Sequence, residues 1–226
     1  MHDDSLTPKK RQIRKRILQT ASKVFAVEGL HNADVQVIAD LACVGKGTIY
    51  RHFGNKAKLF LAVTKFNVDQ VAEYVRGAAI ESDSVVARLR GIALASAEFV
   101  QQHPESVEIV IQERAEFHES LLPTHLMRRA EGQARPDNLF RRGIESGEFI
   151  PIDATAADNA FYDMLFGALV CGCLGGTRNQ LVERVRQATE IFLRGICAAT
   201  IPEKENTACR GDEGHKAADG DIEHDY

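Results

Sequence analysis

The 226-residue chain has no Trp, 6 Pro and 17 Gly, and 44% of its residues are apolar. That balance excludes a collagen-like or wholly disordered polymer. No run of 18 apolar residues occurs, which argues against a membrane span. The opening stretch, MHDDSLTPKKRQIRKR, lacks an apolar segment, which argues against a secretory signal. The 5 cysteines, Cys43, Cys171, Cys173, Cys197 and Cys209, are odd in number and widely spread. They make no disulfide framework and contain no CxxC pair. Small thiols in a reducing, cytoplasmic setting are the expectation. Nucleophile elbow, phosphate loop and HExxH signatures are all missing, so the chain reads as a non-enzyme that needs no cofactor.

Charge is the first positive signal. The net charge is −4, which by itself disfavours a nucleic-acid partner. The average hides an asymmetry. Residues 1–60 carry 11 Lys/Arg against 5 Asp/Glu, whereas residues 61–202 and 203–226 each carry a net −5. A basic module joined to an acidic body follows.

Val, Ile and Thr never alternate with polar residues long enough to make a sheet, so the fold class is all-α. Ile13, Ile17, Leu18, Ala21, Val24 and Phe25 recur at helical steps over about 9–27, and Gly29 is a stop signal. Asp34 is placed to cap a short helix carrying Val35, Ile38, Ala39 and Ala42. Cys43-Val44-Gly45 turns the chain into a second short helix over about 46–53. Gly54-Asn55 ends it, and a long helix over about 56–76 follows. Further helices are expected over about 84–102, 104–118, 123–146, 154–174 and 178–199. Ser84 and Asp153 or Thr155 serve as caps, and Pro136 must split the run from 123. After Pro202 the composition turns acidic and polar, as in a disordered tail. Three regions result: an N-terminal helix-turn-helix domain over 1–55, a helical domain over 56–202, and a tail over 203–226.

Two short helices joined by a tight turn are the pattern of a helix-turn-helix. Val44 and Ile49 would bury the back of the second helix. Lys46, Gly47, Thr48, Tyr50, Arg51 and His52 then lie on its open side and ends. They can bond phosphates, base edges or a thymine methyl. Lys56 opens the next helix with a further charge. Lys10, Arg11 and Arg14, within a basic run at the chain start, suit phosphate or minor-groove contact.

The stretch KGTIYRHFGNKAKLF resembles the recognition-helix signature of the TetR/AcrR family of transcriptional regulators. ILQTASKVFAVEGL, an apolar helix ending in Phe-x-x-x-Gly, is similar to that family's opening pattern. The resemblance spans about residues 12–61. It implies a three-helix DNA-binding domain followed by a helical domain that binds an effector and dimerises. It also implies that Lys46, Gly47, Thr48, Tyr50, Arg51 and His52 face DNA and that Lys56 binds phosphate. The chain departs from the pattern at Cys43, where the family commonly has glycine. It departs again at Ala33-Asp34, where the family often has Thr-Thr.

One recognition helix reads half a site, so a homodimer is expected on a double-stranded operator. The last two helices would supply the interface through Phe161, Leu165, Ala168, Leu169, Leu181, Val185, Ala188 and Phe192. Gly167, Gly172, Gly175 and Gly176 would allow backbones to approach across it. The middle helices would enclose a small-molecule effector with Phe99, Ile109, Gln112, Glu113, Glu116, Phe117, Leu121, Met127, Phe140 and Phe161. Glu113, Glu116, His118 and His125 could alternatively hold a metal, and His215 and His224 could bind one adventitiously. The leading expectation is a repressor that its effector releases from DNA. Activation, metal response and a protein-binding role without DNA are the alternatives.

Overall fold

The computed structural model describes residues 7–78, 82–117, 123–133 and 138–198. The order is α1 (Pro8–Asn32), α2 (Val35–Leu41), α3 (Lys46–Phe53), α4 (Lys56–Gly77), α5 (Val85–Gln102), α6 (Glu105–Phe117), α7 (Thr124–Gln133), α8 (Leu139–Glu145), α9 (Ala154–Leu174) and α10 (Leu181–Ile196). No strand forms among these residues. Phe149 and Cys197 meet in an isolated bridge.

Caps follow the local chemistry. Asp34, Asn55, Ser84, Asn138 and Asp153 each accept a backbone N–H from the first turn of the following helix. Each therefore satisfies a donor that the helix cannot. Gly29 interrupts α1 with φ 75° and ψ 170°. The stop expected at Gly29 is thus a real break, and a further helical turn ending at Asn32 follows it. A turn of 3-10 helix over Arg178–Gln180 precedes α10, which starts later than the sequence pattern suggests. Pro136 and residues 203–226 lie outside the described residues.

Two cores form. The N-terminal core gathers Ile17, Leu18, Ala21 and Phe25 of α1, Ile38 of α2, Ile49 of α3, and Leu59, Phe60 and Val63 of α4. Ile109 of α6 enters it from the other side. The boundary drawn at residue 55 thus falls between α3 and α4, while the core continues past it. Full burial of each of these large side chains contributes about 1.5–3 kcal/mol. Ser22 and Asn67 meet inside the domain, with the Asn67 amide donating to Ser22 Oγ at 2.9 Å.

The second core joins α5, α8, α9 and α10 through Leu89, Phe140, Phe161, Leu165, Leu169, Leu181, Val185 and Leu193. This places five of the expected dimer residues inside one subunit. Phe161, Leu165, Leu169, Leu181 and Val185 are all buried there. Phe192, also assigned to the interface, packs against Phe161 with 5.5 Å between ring centroids and the rings tilted by 54°. Gly172 is small for an intramolecular reason. A Cβ at this position would sit 2.5 Å from Leu181 Cδ1 of the same chain. The apolar stripe on α10 is thus the inner face of the subunit, because α9, α10 and α5 cover one another first. Ala168 and Ala188 are half-buried beside it.

Candidate nucleic-acid interface

α2 and α3 make the corner. Val35, Ile38, Ala39 and Ala42 are buried, which fixes the roll of α2. The turn then needs one residue in the left-handed region, and Cys43 supplies it at φ 51°. This conformation costs a non-glycine residue about 1–2 kcal/mol. It lets the Val44 amide reach back to the Ala39 carbonyl at 3.0 Å, which closes the turn.

α3 buries Ile49 and Phe53, four residues apart on one face. The opposite side carries the expected DNA residues. Lys46, Gly47, Tyr50 and Arg51 are exposed, and Thr48 and His52 are half-buried. Arg51 Nη2 donates to Thr48 Oγ1 at 3.4 Å. A Cβ at Gly47 would meet no protein atom within 4 Å, so the space above it is open to a partner.

The basic start of α1 reaches the far end of α3. The Arg14 guanidinium lies 4.5 Å from the Phe53 ring centroid. Partial burial, then Arg14, Arg51 and Lys10, push the His52 imidazole below its ordinary value of 6.5. Lys10, Arg14 and Arg51 therefore form one field of positive charge around His52. Lys10 and Arg11 are exposed on the first turn of α1.

Lys56 points elsewhere. Its Nζ donates to the His31 carbonyl at 2.7 Å and to the Ala33 carbonyl at 3.2 Å. In the free protein two of its three donors thus serve the carbonyls at the C-terminal end of α1. A lysine satisfies such carbonyls well.

The expected effector residues do not gather around one space. Phe99, Phe140 and Phe161 belong to the second core, whereas Ile109 belongs to the first. Phe117 packs on Phe60 at 6.1 Å between centroids. Gln112 Nε2 donates to the Ala26 carbonyl at 3.3 Å, and Glu116 Oε2 lies 2.7 Å from His31 Nε2. Met127 is 44% exposed. Leu121 and His118 lie outside the described residues. A surface cleft of about 310 Å³ is lined instead by Lys23, Val27, Glu105, Glu108, Cys173 and Leu174, among others.

The possible metal ligands also separate. Glu113, only 2% exposed, accepts the Thr124 amide at 3.0 Å and the Thr124 hydroxyl. Glu116 goes to His31. His125 stacks on Phe166 at 4.8 Å, with burial pushing its imidazole down. No group of three ligating side chains assembles among the described residues.

Two arrangements escaped the sequence pattern. Phe166 stacks on Tyr162, and the Arg129 guanidinium lies 3.9 Å from the Tyr162 centroid. Burial foremost pushes the Tyr162 hydroxyl up to about 12. Paired i,i+4 spacings, His125/Arg129 and Tyr162/Phe166, were the available signal. Glu148 is the second. From the loop after α8 it accepts the Val85 amide at 2.9 Å, the Val86 amide at 3.2 Å and the Ser84 hydroxyl at 2.7 Å. Its loop sequence gave no such signal.

Residues 17–63 match the family described as bacterial regulatory proteins, tetR family. Residues 82–169 match the tetracyclin repressor-like C-terminal domain. The activator FasR of Mycolicibacterium smegmatis is 33% identical over 44% of this chain and 45% of its own length. The chain therefore aligns with less than half of that relative. The repressor KstR2 of Mycobacterium tuberculosis is 27% identical over 61% of this chain and 70% of its own. FadR of Bacillus subtilis, solved in complex with stearoyl-CoA, superposes with a TM-score of 0.68 at 22% identity, over 80% of this chain and 98% of FadR. That likeness shows the fold. Among the described residues no helix is long and apolar enough to cross a membrane. The two matched regions together cover more than half of the chain, and it belongs to the TetR family of helix-turn-helix transcriptional regulators.

Proposed function

We propose that this protein is a dimeric one-component repressor that binds double-stranded operator DNA and leaves it when a small molecule occupies the C-terminal helical domain. One observation supports the DNA half most directly. α3 buries Ile49 and Phe53 while Lys46, Tyr50 and Arg51 stand open beside the Lys10–Arg14 run. Arg51 and Thr48 are assigned to base edges. Tyr50, His52, Lys10, Arg11 and Arg14 are assigned to phosphates. Lys56 holds α1 to α4 and acts on DNA by placing α3.

The regulatory half rests on α6. It enters the N-terminal core with Ile109 and touches α1 through Gln112 and Glu116. It is tied to α7 through Glu113. A ligand that shifts α6 would shift α1 and change the separation of two recognition helices. FadR is named with stearoyl-CoA and KstR2 as a ketosteroid regulator, so these two chemistries are the first effector probes. FasR keeps activation as the second reading.

The test is selection of genomic fragments by the full chain, followed by binding as a function of salt. A palindromic motif and a steep salt slope are expected, and Arg51→Ala should abolish preference for the motif. Binding to no duplex at any salt would overturn the proposal.

A further inference from the structure

We propose that Asp34 is a built-in competitor for the DNA backbone, and that it weakens binding to every duplex by holding Lys46. The inference rests on the DNA-binding reading above. Lys46 is the first residue of α3, and its Nζ lies 3.7 Å from Asp34 Oδ1. The same carboxylate oxygen accepts the Gln36 amide at 2.7 Å. Asp34 therefore stays fixed by the α2 cap while Lys46 approaches it. Both side chains are open to solvent, at 43% for Lys46 and 60% for Asp34, so an incoming phosphate meets the pair directly.

Among the described residues Lys46 is the cation paired with this carboxylate. Lys56, the second lysine at this corner, is committed to the carbonyls of His31 and Ala33. Asp40 accepts from Gln36 Nε2 at 2.8 Å on the exposed side of α2, which adds a second negative group near the same edge. At the opposite end of α3 the field is positive, with Lys10, Arg14 and Arg51 acting on His52. The DNA-facing surface is thus polarised. Backbone contact is strong at the α1 side and self-neutralised at the α2 side. A phosphate gains Lys46 only by displacing Asp34. An exposed pair of this kind is weak enough to be displaced. Weakening phosphate contact lowers affinity for all sequences alike, so the base contacts of a correct site carry more of the discrimination.

The test compares wild type, Asp34→Asn, Lys46→Gln and the double variant on a short mixed-sequence duplex and on duplexes recovered by selection. Asparagine keeps the helix cap, and Asp34→Ser provides a second capping variant should the first fold poorly. Asp34→Asn should tighten binding to both duplexes by about 3- to 10-fold near 0.1 M salt and steepen the salt slope by about 0.9, one phosphate contact. The gain should vanish in the Lys46→Gln background. Unchanged affinity and slope in Asp34→Asn would overturn the proposal, as would a gain that persists in full without Lys46. Failure of wild type to bind any duplex would instead overturn the DNA-binding reading, whatever Asp34 does.

Discussion

His31 Nε2 lies 2.7 Å from Glu116 Oε2, which joins the last turn of α1 to the last turn of α6. One turn earlier, Gln112 donates to the Ala26 carbonyl. Two polar ties on one face of α6 therefore grip the helix that carries the basic arm. Between them Glu113 faces away, toward the first residue of α7. α6 thus joins α4 in linking the two domains.

The two ties should set orientation more than stability. His31 is 80% exposed, so its pair contributes less than about 1 kcal/mol. The Gln112 bond contributes about 0.5–1.5 kcal/mol. The variant Gln112→Ala/Glu116→Ala should lose no more than about 2.5 kcal/mol in urea unfolding. Its operator affinity should fall by more than that loss implies for a largely folded protein. Equal operator affinity in wild type and variant would show that α6 does not hold α1 in its DNA-binding pose.

DNA binding should take up a proton at His52. In the free protein burial and the neighbouring Arg14, Arg51 and Lys10 hold this imidazole below 6.5. A bound phosphate cancels that positive field and raises it again. Affinity should therefore increase as pH falls through and below 6.5, and level off once the free protein is also protonated. Stability of the free protein runs the other way, since the unfolded chain binds this proton more readily. His52→Gln should flatten the His52 part of the affinity profile. A profile unchanged by this substitution would remove His52 from the interface.

Local chemistry made most of this fold readable. Asp34, Ser84 and Asp153 cap where their short oxygen-bearing side chains precede an apolar run. Ile49 and Phe53 fix α3 through four-residue spacing. What misled was long-range choice. The stripe Leu181, Val185, Ala188, Phe192 states only that α10 has an apolar face. Whether a second subunit or α9 and α5 cover it depends on the tertiary arrangement, and here α9 and α5 do. The carbonyl contacts of Lys56 were not legible either, because a lysine near DNA and a lysine near helix carbonyls have the same local sequence. The role of Glu148 was invisible because its partners lie more than sixty residues earlier.

Glu148 should make stability pH-dependent. Desolvation pushes its carboxyl up, but bonds from the Val85 amide, Ser84 hydroxyl, Val86 amide and Ser146 hydroxyl outweigh it, and the group sits below its ordinary 4.5. The carboxylate also offsets the positive end of α5. A depressed carboxyl contributes stability that is full above 4.5 and is lost as pH falls through its lowered value. Glu148→Gln should cost about 1–2 kcal/mol at neutral pH, allowing for its partial exposure, and should shrink as a difference in acid. A constant difference between the two proteins from neutral to acid pH would contradict this account.

The dimer face, if α9 and α10 provide it, must use residues that the subunit leaves open. Ile191 is 74% exposed on α10, and Leu174 is 64% exposed at the end of α9. Single exposed apolar residues are ordinary, so substitution has to decide. In a two-fold dimer each change acts twice. Ile191→Asp would then remove two burials worth about 1.5–3 kcal/mol each, which weakens association by roughly 100-fold or more. Sedimentation equilibrium should show this loss while thermal unfolding of the subunit stays near wild type, because Ile191 contributes little to the core. Val185→Ala should show the reverse. Val185 is fully buried, so its truncation should destabilise the subunit by about 1–3 kcal/mol without a direct effect on association. Normal dimerisation of Ile191→Asp together with Leu174→Asp would move the interface away from this face.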